Sequence, residues 1–269
     1  SCMAVFGTRI YVGTFNDVAK AELWWSGDGS TWSRVNIFDP AYPFSLNKVF
    51  SLHVHGGNLF IGTGDSCAVW RYGGSGSAVL LNTPHFTENA NGLIMGWARY
   101  RGLLYVGTAS LKGCEVWSFD GSAWSRRAEG GFGNRKNGIA ASMATYGGKL
   151  YVGTFNYLDG CEVWSYDGSN WKREASGGFG NTGNISARSM AVFRGKLFVG
   201  TGTIGHGACE VWVYDGTSWT QSVGPHGLQG SGFRPPMSSD PNSTVSSFCV
   251  TGDKLYAGTE NVNAGCEVW

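Results

Sequence analysis

The chain has 269 residues, a formal net charge of +1 and only 14% charged residues. That balance offers no basic face for nucleic acid, and no apolar stretch approaches the ~20 residues of a membrane span. With 43 glycines and 12 tryptophans, turns and large apolar side chains dominate what remains.

Taken in order, the chain repeats one phrase six times. A Gly-Thr pair anchors it at Gly13-Thr14, Gly62-Thr63, Gly107-Thr108, Gly153-Thr154, Gly200-Thr201 and Gly258-Thr259. An apolar run precedes each pair, and a second run ending in Trp24, Trp70, Trp117, Trp164, Trp212 or Trp269 follows it. Each copy holds four strand signals, A to D. In the fifth, A covers Ser189 to Phe193, B covers Leu197 to Thr201, C covers Cys209 to Tyr214 and D starts at Trp219. Asp215-Gly216 reads as the C–D hairpin turn. Short, evenly spaced strands without helical periodicity predict an all-β chain.

Four strands in roughly 45 residues is the size of a propeller blade. The expectation is a single domain over 1–269, a six-bladed β-propeller with four antiparallel strands per blade. Blades fall at about 1–45, 46–92, 93–137, 138–185, 186–243 and 244–269. Ser1 to Phe6 align with strand A and so read as fold rather than as a signal peptide. Copy one ends in an irregular connection, Asn36 to Ser45. Copy two is the most diverged, with Tyr72-Gly-Gly-Ser at its turn and no strand D Trp. Copy five carries a long insertion from Gly224 to Ser243 with Pro235, Pro236 and Pro241. Copy six stops at Trp269, inside strand C. The sixth blade is therefore expected to lack its outer strand, its edge covered by further chain, an oligomer or a second chain.

Five cysteines share one position, Cys67, Cys114, Cys161, Cys209 and Cys266, where copy one has Ala21. The alanine predicts a small buried slot in which Cys acts as a small hydrophobe. Cys2 and Cys249 sit on strand A of the first and last copies, and a disulfide between them is the less favoured reading. His53 and His55 point to one face, but no third metal ligand presents itself. Asn184-Ile-Ser and Asn242-Ser-Thr match the acceptor pattern for N-glycosylation.

The phrase is similar to kelch and WD-type propeller repeats, with their Gly pairs and third-strand Trp. Its C–D turn, as in Ser118-x-Asp120-Gly-x-x-Trp124 and Ser165-x-Asp167-Gly-x-x-Trp171, resembles the Asp-box of sialidase-like propellers, one residue short between Asp and Trp. The resemblance implies the propeller fold. The Asp-box is a structural turn, and a sialidase also needs an arginine trio. Arg71, Arg99, Arg101, Arg188 and Arg234 show no spacing that picks out three.

In propellers the B–C and D–A loops share one face. That face is expected to gather Asn156, Tyr157, Asp159 and Glu162 with Asn134, Asn137, Asn181, Asn184 and Arg188. Glu recurs on strand C as Glu22, Glu115, Glu162, Glu210 and Glu267. Carboxylate, amide, Arg and aromatic groups together match what lectins use on sugars. Six-bladed fucose-binding lectins use this mix on a different repeat motif. The competing reading makes Glu structural, capping loop amides or pairing with Arg. The candidate ligand-binding residues are Glu162, Arg188, Asn156, Asn181, Asn184, Glu115 and Asn134. No catalytic residue, metal or cofactor is expected. The expected function is non-enzymatic recognition of a glycan or protein ligand, secreted or at the cell surface. The alternatives are a structural or assembly domain of a larger surface protein, or a sialidase-like hydrolase.

Overall fold

The Gly-Thr pair exists because two different neighbours press on it. In the computed structural model, which describes residues 2–16, 20–35, 47–86, 91–203, 207–224, 233, 241–261, 263 and 265–269, each pair lies near the end of a strand B. A Cβ on Gly153 would stand 2.7 Å from the Ala187 Cβ and carbonyl oxygen of the following copy. On Gly107 it would stand 2.6 Å from the Ala140 carbonyl, and on Gly200 2.5 Å from the Val245 Cβ. Glycine is thus required by close packing between copies. The threonine serves its own copy: Thr154 Oγ1 accepts the Glu162 amide at 2.9 Å, and Thr108 and Thr201 do the same for Glu115 and Glu210.

The described elements are almost entirely β-strands, in chain order. Copy one holds β1 (Cys2–Phe6), β2 (Arg9–Gly13), β3 (Leu23–Ser26) and β4 (Ser33–Val35). Copy two holds β5 (Val49–His55), β6 (Asn58–Thr63), β7 (Val69–Tyr72) and β8 (Val79–Leu80). Copy three holds β9 (Asn91–Tyr100), β10 (Leu103–Ser110), β11 (Val116–Phe119) and β12 (Trp124–Ala128). Copy four holds β13 (Ile139–Tyr146), β14 (Lys149–Phe155), β15 (Val163–Tyr166) and β16 (Trp171–Ala175). Copy five holds β17 (Asn184–Phe193), β18 (Lys196–Thr203), β19 (Val211–Tyr214) and β20 (Trp219–Val223). Copy six holds β21 (Thr244–Thr251) and β22 (Lys254–Glu260), with Val268 bridging back to Gly258. Every pairing is antiparallel between strands consecutive within a copy, and single bridges link copies three to six into one 14-stranded sheet.

Two boundaries differ from the sequence reading. Strand A of copies three and five runs to ten residues, because it begins in the preceding loop. Strand C starts at Val, one step after Glu; the Glu amide goes to Thr Oγ1 rather than into the ladder. The irregular connection 36–46, Pro235, Pro236, and His206 and His226 lie outside the described residues.

The Asp turns form as their composition predicts. Asp120 Oδ1 accepts the amides of Ser122 and Ala123 at 2.8 Å, and Gly121 takes φ 106°, where a Cβ would be strained. The two amides hold Asp120 below the usual carboxylate range, and the same geometry lowers Asp167 and Asp215.

Consecutive A strands are tied by one hydroxyl each. Ser51 Oγ donates to the Ile94 carbonyl at 2.8 Å, Ser142 to Ala187 at 2.7 Å and Ser189 to Val245 at 2.7 Å. Cys2 Sγ occupies this position in copy one and faces the Val49 carbonyl, toward copy two. All seven cysteines are free; Cys67, Cys114, Cys161 and Cys209 are fully buried. The apolar clusters lie between copies, as where Cys114, Val116 and Tyr105 of copy three pack on Leu150, Val152 and Tyr166 of copy four.

Candidate functional site

The repeated glutamates are the hubs of a bonded cluster that spans two copies. Glu162 is 3% exposed. Its Oε2 accepts Trp164 Nε1 at 2.8 Å and, from the preceding copy, Asn137 Nδ2 at 2.6 Å. Its Oε1 takes Arg173 Nη1 at 3.3 Å. Glu115 repeats this with Trp117, Asn91 and Arg126, and Glu210 with Trp212 and Asn184. The asparagine amide also donates to a carbonyl of its own loop, Gly131 for Asn137 and Gly178 for Asn184. Its backbone carbonyl accepts the amide of its own copy's cysteine, as Asn137 does from Cys114.

The loop that delivers the asparagine is wound left-handed. Gly130, Gly131, Phe132 and Gly133 have φ of 57°, 64°, 62° and 88°, and Gly177 to Gly180 repeat this at 60°, 60°, 62° and 92°. Glycine favours such a turn, whereas phenylalanine there is strained. Packing holds it. Phe132 stacks on Trp164 at 5.0 Å and meets the edge of Trp171 at 4.9 Å, both in the next copy. Phe179 does the same with Trp212 and Trp219. Trp171 Nε1 then donates to the Arg127 carbonyl of the copy before.

The other candidate residues divide. Asn156 is buried; its Nδ2 donates to Asn137 Oδ1 at 3.0 Å and its Oδ1 caps the amides of Leu158 and Asp159. Asn134 donates to Asp159, which Lys136 also binds at 2.8 Å. Asn181 donates to Glu210 at 3.4 Å. These residues, with Glu162, Glu115 and Asn184, do come together where B–C and D–A connections meet, most of them as partners of one another. Arg188 lies elsewhere: it sits within β17 and its Nη1 points to Met95 Sδ of β9 at 3.3 Å.

A cleft of about 490 Å³ opens beside Glu115. Lys112 from the B–C connection, Arg126 from β12, and Glu129 and Arg135 from the D–A loop line it. Arg126 bridges Glu115 at 3.2 Å and Glu129 at 2.7 Å. The lining therefore mixes three cations with two carboxylates and the polar edges of Ser110 and Asn91. Sequence reasoning missed Lys112, Arg126, Glu129 and Arg135. The signal for Arg126 was its place on strand D opposite Trp117.

Among the described residues, no three His, Cys, Asp or Glu converge as a metal site. His53 instead stacks on Trp97, rings 5.8 Å apart and 2° from parallel. Burial, and secondarily His55, push its pKa down to about 4. Between pH 6.5 and 4 the unfolded chain takes up a proton that the folded one refuses, so stability falls as pH falls. His53→Gln should remove roughly 2 kcal/mol of the loss between pH 7 and 4.5. Urea unfolding of both proteins at the two pH values checks this; equal losses would exclude His53 as the source.

No family model matches the sequence, and no significant match to a curated protein is found. Solved structures do match. SapL1 lectin in complex with alpha methyl fucoside superposes with a TM-score of 0.59 at 13% identity, covering 99% of this chain and 94% of that one. A mutant of AofleA from Arthrobotrys oligospora gives 0.57 at 9% identity, covering 100% and 81%. Trypanosoma rangeli sialidase in complex with sialic acid gives 0.52 at 13% identity, covering 99% and 52%. The chain thus spans about half the length of that sialidase. It has the all-β fold of propeller-type lectins and sialidases.

Proposed function

We propose that the chain is a six-bladed β-propeller whose B–C/D–A rim recognises glycans without chemistry, in a secreted or surface-exposed setting. The cleft beside Glu115 carries this reading. It is open, polar and mixed in charge, with donors and acceptors for hydroxyl groups. Buried Trp, Asn and Glu hold its base rigid, so little ordering opposes binding. The likeness to lectin structures along nearly the whole chain supports the same reading. Glu115, Glu162, Glu210 and Glu267 are occupied as acceptors, each bound to an indole and an asparagine amide, rather than placed as an acid–base pair.

A glycan array of the purified chain, beside a Lys112→Ala, Arg135→Ala double variant, tests the proposal. Selective binding that the variant weakens about tenfold, as lost charge-assisted hydrogen bonds imply, is the expected result. Unchanged binding in the variant would place the site elsewhere on the molecule. A folded wild-type chain that binds no glycan would sink the reading.

A further inference from the structure

In copies two to six, strand A carries an extra residue at the same place. The register against strand B slips between Val49 and Ser51, Ala140 and Ser142, Ala187 and Ser189, and Val245 and Ser247. The inserted residues are Phe50, Ala141, Arg188 and Ser246. In copy three the slip falls at Met95 and Gly96. A bulge leaves its extra residue out of the ladder and re-aims that side chain. The flanking positions repeat, because they pack on strand B glycine or bond the next A strand. The bulged positions do not repeat: Phe, Met, Ala, Arg and Ser stand side by side along one wall.

Arg188 is the charged member. Its guanidinium reaches Met95, two copies back, so it crosses in front of copy four, whose bulged residue is the methyl of Ala141. A thioether is a weak acceptor for a group with five N–H donors. Among the described residues, no carboxylate lies within ion-pair distance of it. Desolvation lowers its pKa, opposed in part by Glu260 from further away. The bulge therefore presents a half-buried cation without a counter-ion among the described residues.

We infer that this wall is a second binding site, in which Arg188 receives the carboxylate of a ligand beside the small side chain of Ala141. The planar guanidinium fork matches a carboxylate through two parallel hydrogen bonds. The site shares no residue with the rim cleft, and either stands if the other fails.

The test uses the methyl signal of Met95 in protein labelled at its methionine methyl groups, titrated with acetate, sulfate or chloride at constant ionic strength. Acetate should move the Met95 signal saturably in the wild type and leave it unmoved in Arg188→Met, a variant without a buried charge. Arg188→Lys, which keeps the charge but not the fork, should bind at least about fivefold more weakly. A response to sulfate alone would overturn the carboxylate assignment. No saturable response to acetate, or the same response in Arg188→Met, would overturn the site. If Arg188→Met does not fold, Arg188→Lys decides: affinity equal to wild type counts against the site.

Discussion

Gly153→Ala should destabilise the chain by about 3 kcal/mol, toward the upper end of overpacking costs. The added methyl would sit 2.7 Å from the Ala187 Cβ, the Ala187 carbonyl and Ser142 Oγ. None of the three is the free end of a flexible chain. Two are part of the next copy's A strand, and the third is held by its own bond to that carbonyl. Relief requires copies four and five to move apart, which opens the cluster of Cys161, Val163 and Leu197. Gly121→Ala changes only an exposed turn with nothing within 4 Å of the new Cβ, so its cost is the backbone strain of φ 106°. Thermal unfolding of the two variants should differ by several degrees, with Gly153→Ala the lower. Equal midpoints would mean that the copies are not packed through this glycine.

Glu162→Ala should cost about 3 kcal/mol, the upper end of the cost of leaving buried donors unpaired. The substitution leaves two donors facing a void, Trp164 Nε1 and Asn137 Nδ2, and takes an ion partner from the half-exposed Arg173. Copy one supplies the control. Glu22 binds Trp24 and Arg34 in the same way but is 36% exposed on its side chain, against 4% for Glu162. Water can replace what Glu22 gives, so Glu22→Ala should cost a small fraction of the Glu162 effect. Denaturant midpoints of both variants decide it. A Glu162→Ala protein as stable as Glu22→Ala would return the glutamate from architecture to the list of available ligands.

Much of this was legible in the chain itself. The Gly-Thr spacing, the Asp-Gly turns and the apolar runs locate nearly every strand, because each is set by neighbours a few residues away. Alternation along strand C also places Glu162 and Trp164 on one face, where they do bond. What alternation does not carry is the partner from outside. Asn137 closes on Glu162 across 25 residues, and that contact turns an apparent rim carboxylate into a buried acceptor. The bulge in strand A was equally hidden, since one extra residue leaves no mark on an apolar run. Arg188 therefore read as a rim residue, although the slip in register turns it toward Met95. Nor does local sequence place the phenylalanine of the Gly-Gly-Phe-Gly stretches, whose ring is spent between two tryptophans of the next copy.

That left-handed loop gives the molecule a direction. Each of these Phe and Asn residues reaches forward, from the end of a D–A loop to the strand C that follows it in sequence. During synthesis the reaching residues leave the ribosome before the Trp and Glu they will meet. Each left-handed loop is therefore completed when the Trp and Glu of the next copy arrive. The protein can zip itself together in the order in which it is translated, each unit closing the one before it.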